Sequence, residues 1–97
     1  MTRTKSYQAE LIESLRYSRE AAEYLNAALE EDDPELFLLA LRNVAEAQGG
    51  MAQLAEKARL NRESLYKMLS ERGNPELRSL EALLHALGLR LAITVAK

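Results

Sequence analysis

The sequence predicts an all-α fold built around a helix-turn-helix. Apolar residues recur at the spacing of one helical face along most of the chain. The segment "MAQLAEKARLNRESLYKML", residues 51–69, holds two short helical patterns separated by a three-residue break. The segments "EEDDPEL", "QGG" and "ERGNPEL" interrupt the other helical patterns with residues that start and end helices. We expect residues 1–97 to form a single domain with an N-terminal helical extension (1–33), a helix-turn-helix core (34–88) and a short C-terminal β-strand (89–96).

The N-terminal extension holds two predicted helices. Leu11 and Leu15 indicate a first helix that starts near Ser6. A second helix is expected at about 18–31, with Ser18 as its N-cap, because a Ser oxygen accepts hydrogen bonds from first-turn N–H groups. One apolar face of this second helix is formed at helical spacing by Ala21, Tyr24, Leu25, Ala28 and Leu29.

The core begins with a strong helix-start signal. Asp33 can cap the next helix, and Pro34 suits its first position because Pro lacks an N–H that would go unpaired there. From Pro34 to about Gln48 the sequence is apolar nearly all round at first, which is typical of a central helix contacted on several sides. Gly49 and Gly50 then end it.

The two short patterns that follow match the packing of a helix-turn-helix. Such a unit needs a small residue where its helices cross and apolar residues that fix their angle. Ala55 is the small residue, and Leu60, Leu65 and Met68 are the apolar ones. Asn61 is the expected cap of the second helix. An ordinary αα-corner in a helical bundle needs similar spacing, so the pattern alone leaves both interpretations open.

The C-terminal part predicts one more helix and a strand. Leu80, Leu83, Leu84 and Leu87 share a helical face over 79–87. Gly88 is the expected stop of this helix. Apolar residues then alternate along "LRLAITVA", the period of a strand. The chain has no other clear strand, so we expect this one to pair with a second copy or with another protein.

Composition and charge restrict the function. The chain has no Cys and one His, which excludes a disulfide framework, a thiolate zinc site and a histidine metal cluster. No Ser–His–Asp or metal-ligand spacing, P-loop or dinucleotide fingerprint is present, so we expect neither an enzyme nor a cofactor. The longest apolar run, "LFLLAL", is far shorter than the roughly 20 residues that span a bilayer. A cytoplasmic protein without a membrane partner is expected.

The charges divide unevenly along the chain. Residues 1–50 hold five Lys/Arg and ten Asp/Glu, a net charge of −5. Residues 51–97 hold eight Lys/Arg and five Asp/Glu, a net charge of +3. This asymmetry favours a nucleic-acid surface on the second half and a basic protein partner for the first. A solvated surface with uneven charge is the alternative.

Two stretches of the sequence resemble known protein families. The stretch "LAEKARLNRESLYKMLSERGNPELRSLEALLHALGLRLAI" is similar to the phage-repressor, or Xre-like, helix-turn-helix class. More closely, "AAEYLNAALEEDDPELFLLALRNVAEAQGGMAQLAEKARLNRESLYKMLSERGNPEL" resembles the addiction-module antidote proteins, HigA-like antitoxins of type II toxin–antitoxin pairs. The resemblance covers about residues 6–95, and "RESLYKMLSERGNP" is its most specific part.

The resemblance implies both a fold and a set of partners. It implies a five-helix, phage-repressor-like DNA-binding domain that forms a homodimer on an inverted-repeat operator and represses its own operon. It also implies that the protein binds a small basic RelE-like toxin. A stand-alone helix-turn-helix regulator without a toxin, or a helical protein–protein adaptor, remains the alternative.

Carried over residue by residue, the family's DNA-reading positions fall on five residues: Asn61, Arg62, Glu63, Tyr66 and Lys67. Ser64 and Leu65, on the same helix, are expected to turn back toward the first helix of the unit. Arg72, Asn74 and Arg78 flank the following loop and could hold the phosphate backbone, or lie in a solvated loop. The sequence departs from the repressor class at Arg59, where Gly often stands, and at Met51, where a polar residue often meets phosphate. Arg59 instead brings a positive charge to the turn, at a backbone strain of about 1 kcal/mol.

Overall fold

The protein is a bundle of short helices. The computed structural model describes the backbone of residues 2–96 and the side chains of residues 7–96. The described backbone forms α1 (Thr2–Ser14), α2 (Ser18–Glu30), α3 (Pro34–Ala47), α4 (Met51–Ala58), α5 (Arg62–Met68) and α6 (Leu77–Ala86). The all-α prediction is confirmed. None of these helices is long and apolar enough to cross a membrane.

The five-helix count that the family resemblance implies is wrong, because the described residues form six helices. The N-terminal extension packs into the common core. Helices α1 and α2 both contact α3, and Leu15 and Leu25 are buried in the same apolar cluster as the later helices. Helix α4 contacts α3, α5 and α6, so it joins the N-terminal half of the bundle to the C-terminal half.

The core is entirely apolar over the described side chains. No polar or charged residue among them is buried, and no buried polar atom lacks a hydrogen-bond partner. The largest fully buried side chains are Leu15, Leu41, Val44, Leu65, Leu69 and Leu83. Burial of aliphatic surface therefore holds the helices together, at about 1.5–3 kcal/mol for each large side chain.

The start and stop signals are partly confirmed. The Asp33 Oδ1 atom accepts hydrogen bonds from the backbone N–H groups of Glu35 at 3.1 Å and Leu36 at 3.4 Å, and Pro34 opens α3 as predicted. Gly88 follows α6 with a left-handed φ of +79°, as expected of a helix stop. The cap assigned to Ser18 is wrong, because Ser18 is the first helical residue and its neighbour Tyr17 is the cap, without a side-chain hydrogen bond.

The predicted C-terminal β-strand at 89–96 is also wrong. Residues 89–96 have no secondary structure, and the described residues contain no strand to pair with them. The alternating apolar pattern is present, but Ile93 is 100% exposed and Val95 is 94% exposed. Alternation forms a strand only where a neighbouring backbone supplies hydrogen bonds, and the described residues contain no neighbouring strand that could supply them.

The Asp33 cap yields a stability prediction. We expect Asp33→Ala to lower the free energy of unfolding by about 1 kcal/mol, because two first-turn N–H groups of α3 lose their acceptor. Urea unfolding followed by circular dichroism measures the change. Glu31→Ala is the control, since this exposed neighbour has no described side-chain hydrogen bond and should stay within about 0.5 kcal/mol of wild type. Equal effects of the two substitutions would contradict the capping role.

Candidate nucleic-acid interface

A tight turn joins α4 to α5. Arg59 ends α4 in the left-handed conformation, with φ +57° and ψ +43°. The Leu60 N–H then donates to the Ala55 carbonyl at 2.9 Å, and the Arg59 N–H donates to the Glu56 carbonyl at 3.2 Å. These bonds satisfy carbonyl groups at the end of α4 and reverse the chain within three residues. Arg59 itself is exposed, as the prediction of a solvent-facing charge requires.

Helix α5 begins at a capped N-terminus. Asn61 has extended backbone angles, and its Oδ1 atom accepts from the Ser64 N–H at 3.1 Å. The Asn61 carbonyl accepts from the Leu65 N–H at 2.9 Å. Asn61 therefore is the cap that the sequence predicts. Its hydrogen bond to the Ser64 N–H fixes the start of α5 and so the position of Arg62, the first residue of this helix.

Apolar contacts hold α5 against the bundle. Leu65 and Leu69 are both 0% exposed, and Ala55 on α4 is buried with them in the core cluster. Leu60 and Met68 are half-buried against the same cluster. The small residue Ala55 and the three apolar residues predicted for this packing therefore all face inward. A helix of seven residues is marginal in water, so α5 depends on these contacts and on its cap.

The opposite side of α5 faces solvent. Arg62, Glu63, Tyr66 and Lys67 are exposed, as predicted for residues that contact a partner. Ser64 is exposed too, so its expected orientation toward α4 is wrong, whereas Leu65 does turn inward. An open depression on this side is lined by Asn61, Glu63, Ser64 and Lys67.

The loop after α5 folds back onto the end of this helix. The Ser70 hydroxyl donates to the Lys67 carbonyl at 2.7 Å, and the Gly73 N–H donates to the Ser70 carbonyl at 2.9 Å. A Cβ atom at Gly73 would collide with the Met68 carbonyl, so only Gly fits there. The structure thus keeps Arg72 and Asn74, both exposed, close to the end of α5. The role of Gly73 was missed, although "RGNP" contains its signal.

The beginning of α4 lacks a side-chain cap. Gly50 precedes α4 with φ +94°, and no side chain accepts hydrogen bonds from its first turn. Met51 is half-buried against the core, so its side chain is not directed wholly to solvent. The first turn holds no acidic residue. The backbone N–H groups at this end are the groups that a phosphate oxygen can accept from.

The charges of this surface are not neutralised by neighbours. Within the described side chains, one ion pair is formed, between Arg16 and Glu13 at 3.0 Å, and it lies on the N-terminal half. Among the described side chains, Arg62 and Lys67 therefore have no carboxylate within ion-pair distance. Cationic, hydroxyl and amide groups share this exposed surface, and such groups can neutralise phosphates and donate hydrogen bonds to base edges.

Comparison with known proteins gives two matches. A family model described as "probable addiction module antidote protein" matches residues 5–95. An uncharacterized protein of Haemophilus influenzae strain Rd is 39% identical over 84 residues, which cover 87% of this chain and 86% of that protein. No solved structure matches the chain significantly.

The left-handed turn residue yields a second stability prediction. Arg59→Gly should raise the free energy of unfolding by roughly 1 kcal/mol, because Gly adopts a positive φ without the Cβ clash. Lys57→Gly is the control, since this exposed residue lies inside α4 and should lower the free energy by about 1 kcal/mol. Urea unfolding of both variants measures the difference. A loss of stability in both would contradict the left-handed turn.

Proposed function

The chain belongs to the probable addiction module antidote proteins, and from this membership we propose that it is a DNA-binding antitoxin. In this proposal it binds a small basic RelE-like toxin and represses its own operon as a homodimer. Family membership supports the antitoxin role. The observation that supports DNA binding is the exposed side of α5, where Arg62 and Lys67 project without ion-pair partners from a capped helix.

DNA binding follows from how α5 would enter a major groove. A groove about 12 Å wide admits one helix, with its first turn against the base edges. Arg62 then donates two parallel hydrogen bonds to guanine O6 and N7. Glu63 accepts from cytosine N4, and Tyr66 packs against a thymine methyl or a sugar. Asn61 and Lys67 complete the set that faces the groove.

Other residues hold the phosphate backbone. Arg72 and Asn74 leave the loop beyond α5, and Arg59 leaves the turn before it. These side chains flank the recognition helix on both ends, where a duplex presents phosphate oxygens. Phosphate contacts position the protein and carry no sequence information by themselves. In a two-fold homodimer, two such helices bind an inverted repeat with half-sites roughly 10 bp apart or a multiple of that.

Toxin binding is supported by the charge of the first half of the chain. Residues 1–50 carry a net charge of −5, which attracts a basic partner and speeds its encounter. Tyr24 and Leu25, on the apolar face of α2, are not free to anchor a partner. Leu25 is 4% exposed, and the half-buried Tyr24 hydroxyl accepts a hydrogen bond from Asn43 Nδ2 at 2.8 Å. Tyr17, which is exposed in this half, is the better anchor.

The base-reading assignment is tested by two arginine substitutions. Arg62→Ala should cost ~1–3 kcal/mol on the DNA upstream of the protein's own gene and little on a scrambled duplex, because it removes a bidentate guanine contact. Arg72→Ala should weaken binding to both duplexes alike and reduce the salt slope by about one, because it removes a phosphate contact. Fluorescence titrations of both duplexes at two salt concentrations measure both effects.

Arg19→Ala is the control, an exposed arginine on α2 in the N-terminal half of the chain. If Arg62→Ala binds the upstream DNA as wild type does, or loses equally on both duplexes, the base-reading role is wrong. If wild type has no duplex affinity at any salt concentration, DNA binding itself is wrong and an adaptor function replaces it.

The antitoxin role is tested by co-expression. We expect the protein to restore growth to cells that express the basic protein encoded next to it, and to co-purify with that protein. Tyr17→Ala should weaken the complex by at least tenfold, because a central Tyr anchor typically contributes 2 kcal/mol or more. Tyr66→Ala, an exposed tyrosine on α5, is the matched control and should leave the complex intact. Failure of wild type to rescue growth would refute the antitoxin role and leave the repressor.

A further inference from the structure

The loop between α5 and α6, residues 69–76, is closed onto the end of α5. The Ser70 hydroxyl donates to the Lys67 carbonyl at 2.7 Å, and the Gly73 N–H donates to the Ser70 carbonyl at 2.9 Å. At Gly73 the backbone comes so near to the last turn of α5 that an added Cβ would overlap the Met68 carbonyl oxygen. Main chain therefore packs directly on main chain at this point.

Gly73 is the residue that permits this close approach. The atoms that a Cβ would meet are backbone atoms of Lys67 and Met68, which cannot move aside as the end of a flexible side chain can. Gly73 does not have a left-handed φ, so the requirement is one of space and not of backbone conformation. Any larger residue at position 73 therefore pushes the loop away from α5.

The loop presents two opposite charges on consecutive residues. Glu71 and Arg72 are both exposed, and among the described side chains neither of them forms an ion pair. A phosphate group near this loop is repelled by the carboxylate and attracted by the guanidinium. The position of the loop relative to α5 therefore decides which of the two charges meets a duplex that lies against α5.

Pro75 restrains the same loop on the other side of Gly73. The residue before a proline is restricted to extended backbone, which limits the conformation of Asn74. Gly73 and Pro75 are half-buried, whereas Arg72 and Asn74 are exposed. The loop thus has an inner side on the end of α5 and an outer side that carries Arg72 and Asn74.

The end of α5 needs a cation if a phosphate is to lie near it. The last carbonyl groups of a helix carry partial negative charge, which repels a phosphate. In this loop the Ser70 hydroxyl occupies the Lys67 carbonyl, and the backbone at Gly73 covers the Met68 carbonyl. Arg72 then supplies a positive charge at the same end of the helix.

We propose that Gly73 is the positioning residue for the phosphate contact of this protein with DNA. By allowing the loop to lie on the end of α5, it places the Arg72 guanidinium, and not the Glu71 carboxylate, against a phosphate beside the recognition helix. Gly73 touches no nucleotide itself and acts through Arg72. This inference rests on the DNA binding of the proposed function and names the residue on which its sequence-independent part depends.

A double-mutant cycle tests the role of Gly73. Gly73→Ala should weaken binding to the upstream DNA and to a scrambled duplex alike, several-fold, and reduce the salt slope as Arg72→Ala does, because the displaced loop no longer holds Arg72 against a phosphate. The chain with both substitutions should bind about as strongly as Arg72→Ala alone, because the two changes remove the same contact. Fluorescence titrations of both duplexes at several salt concentrations measure these effects.

Gly88→Ala is the matched control. Gly88 has a left-handed φ of +79° at the end of α6, so an alanine there also strains the backbone, but it lies outside the loop between α5 and α6. This variant should keep both affinities and the salt slope of wild type. Circular dichroism at the titration temperature checks that each variant is folded.

Ser70→Ala loosens the loop without a steric clash. It removes the hydroxyl hydrogen bond that closes the loop onto the Lys67 carbonyl. The salt slope should fall in the same direction as in Gly73→Ala, and combination with Arg72→Ala should again add little. This variant gives the same test if Gly73→Ala does not fold.

Three results would overturn the positioning role. Additive losses in the double variant, or a loss in Gly73→Ala on the upstream DNA alone, would show that Gly73 only supports α5, while DNA binding stands. An unchanged salt slope in both Gly73→Ala and Ser70→Ala would show that the loop holds no phosphate contact. A wild-type chain without affinity for either duplex at any salt concentration would refute the proposed DNA binding itself, and this inference with it.

Discussion

The burial of Leu65 and Leu69 beneath α5 is the contact on which the rest of the candidate site depends. Both side chains are inaccessible to solvent, and they lie in the same cluster as Ala55 of α4. A seven-residue helix does not form by itself, so this packing and the Asn61 cap create α5. Once Leu65 and Leu69 face the core, helical geometry places four residues on the outer side of α5: Arg62, Glu63, Tyr66 and Lys67.

The parts of the fold that local chemistry determines could be predicted from the sequence. Asp33 with Pro34, Asn61 and Gly88 start or stop helices through contacts within a few residues, and the structure forms each of them. The predicted cap at Ser18 failed, because α2 begins one residue earlier than that cap requires. Capping preferences do not decide between neighbouring positions when tertiary contacts fix the helix start.

The errors in the fold and the candidate site come from contacts between distant residues. The alternation in residues 89–96 has the period of a strand, but a strand exists only where another backbone pairs with it, and sequence periodicity contains no information about that partner. The five-helix count came from the family resemblance, whereas the sequence patterns themselves indicate six helical segments. Similarly, the sequence pattern placed Ser64 against α4, whereas the actual rotation of α5 leaves it exposed.

The core and the surface of the molecule have different roles. Every buried residue among the described side chains is apolar, so the interior specifies shape and contributes no chemistry of its own. Any selectivity must therefore arise from exposed groups. Exposed large apolar residues include Tyr17 in the acidic half and Tyr66 on α5. We propose a different partner for each of these two, namely the toxin for Tyr17 and DNA for Tyr66. Because α4 contacts α3, α5 and α6, one common core supports these exposed surfaces. Each surface is nevertheless a separate proposed binding site.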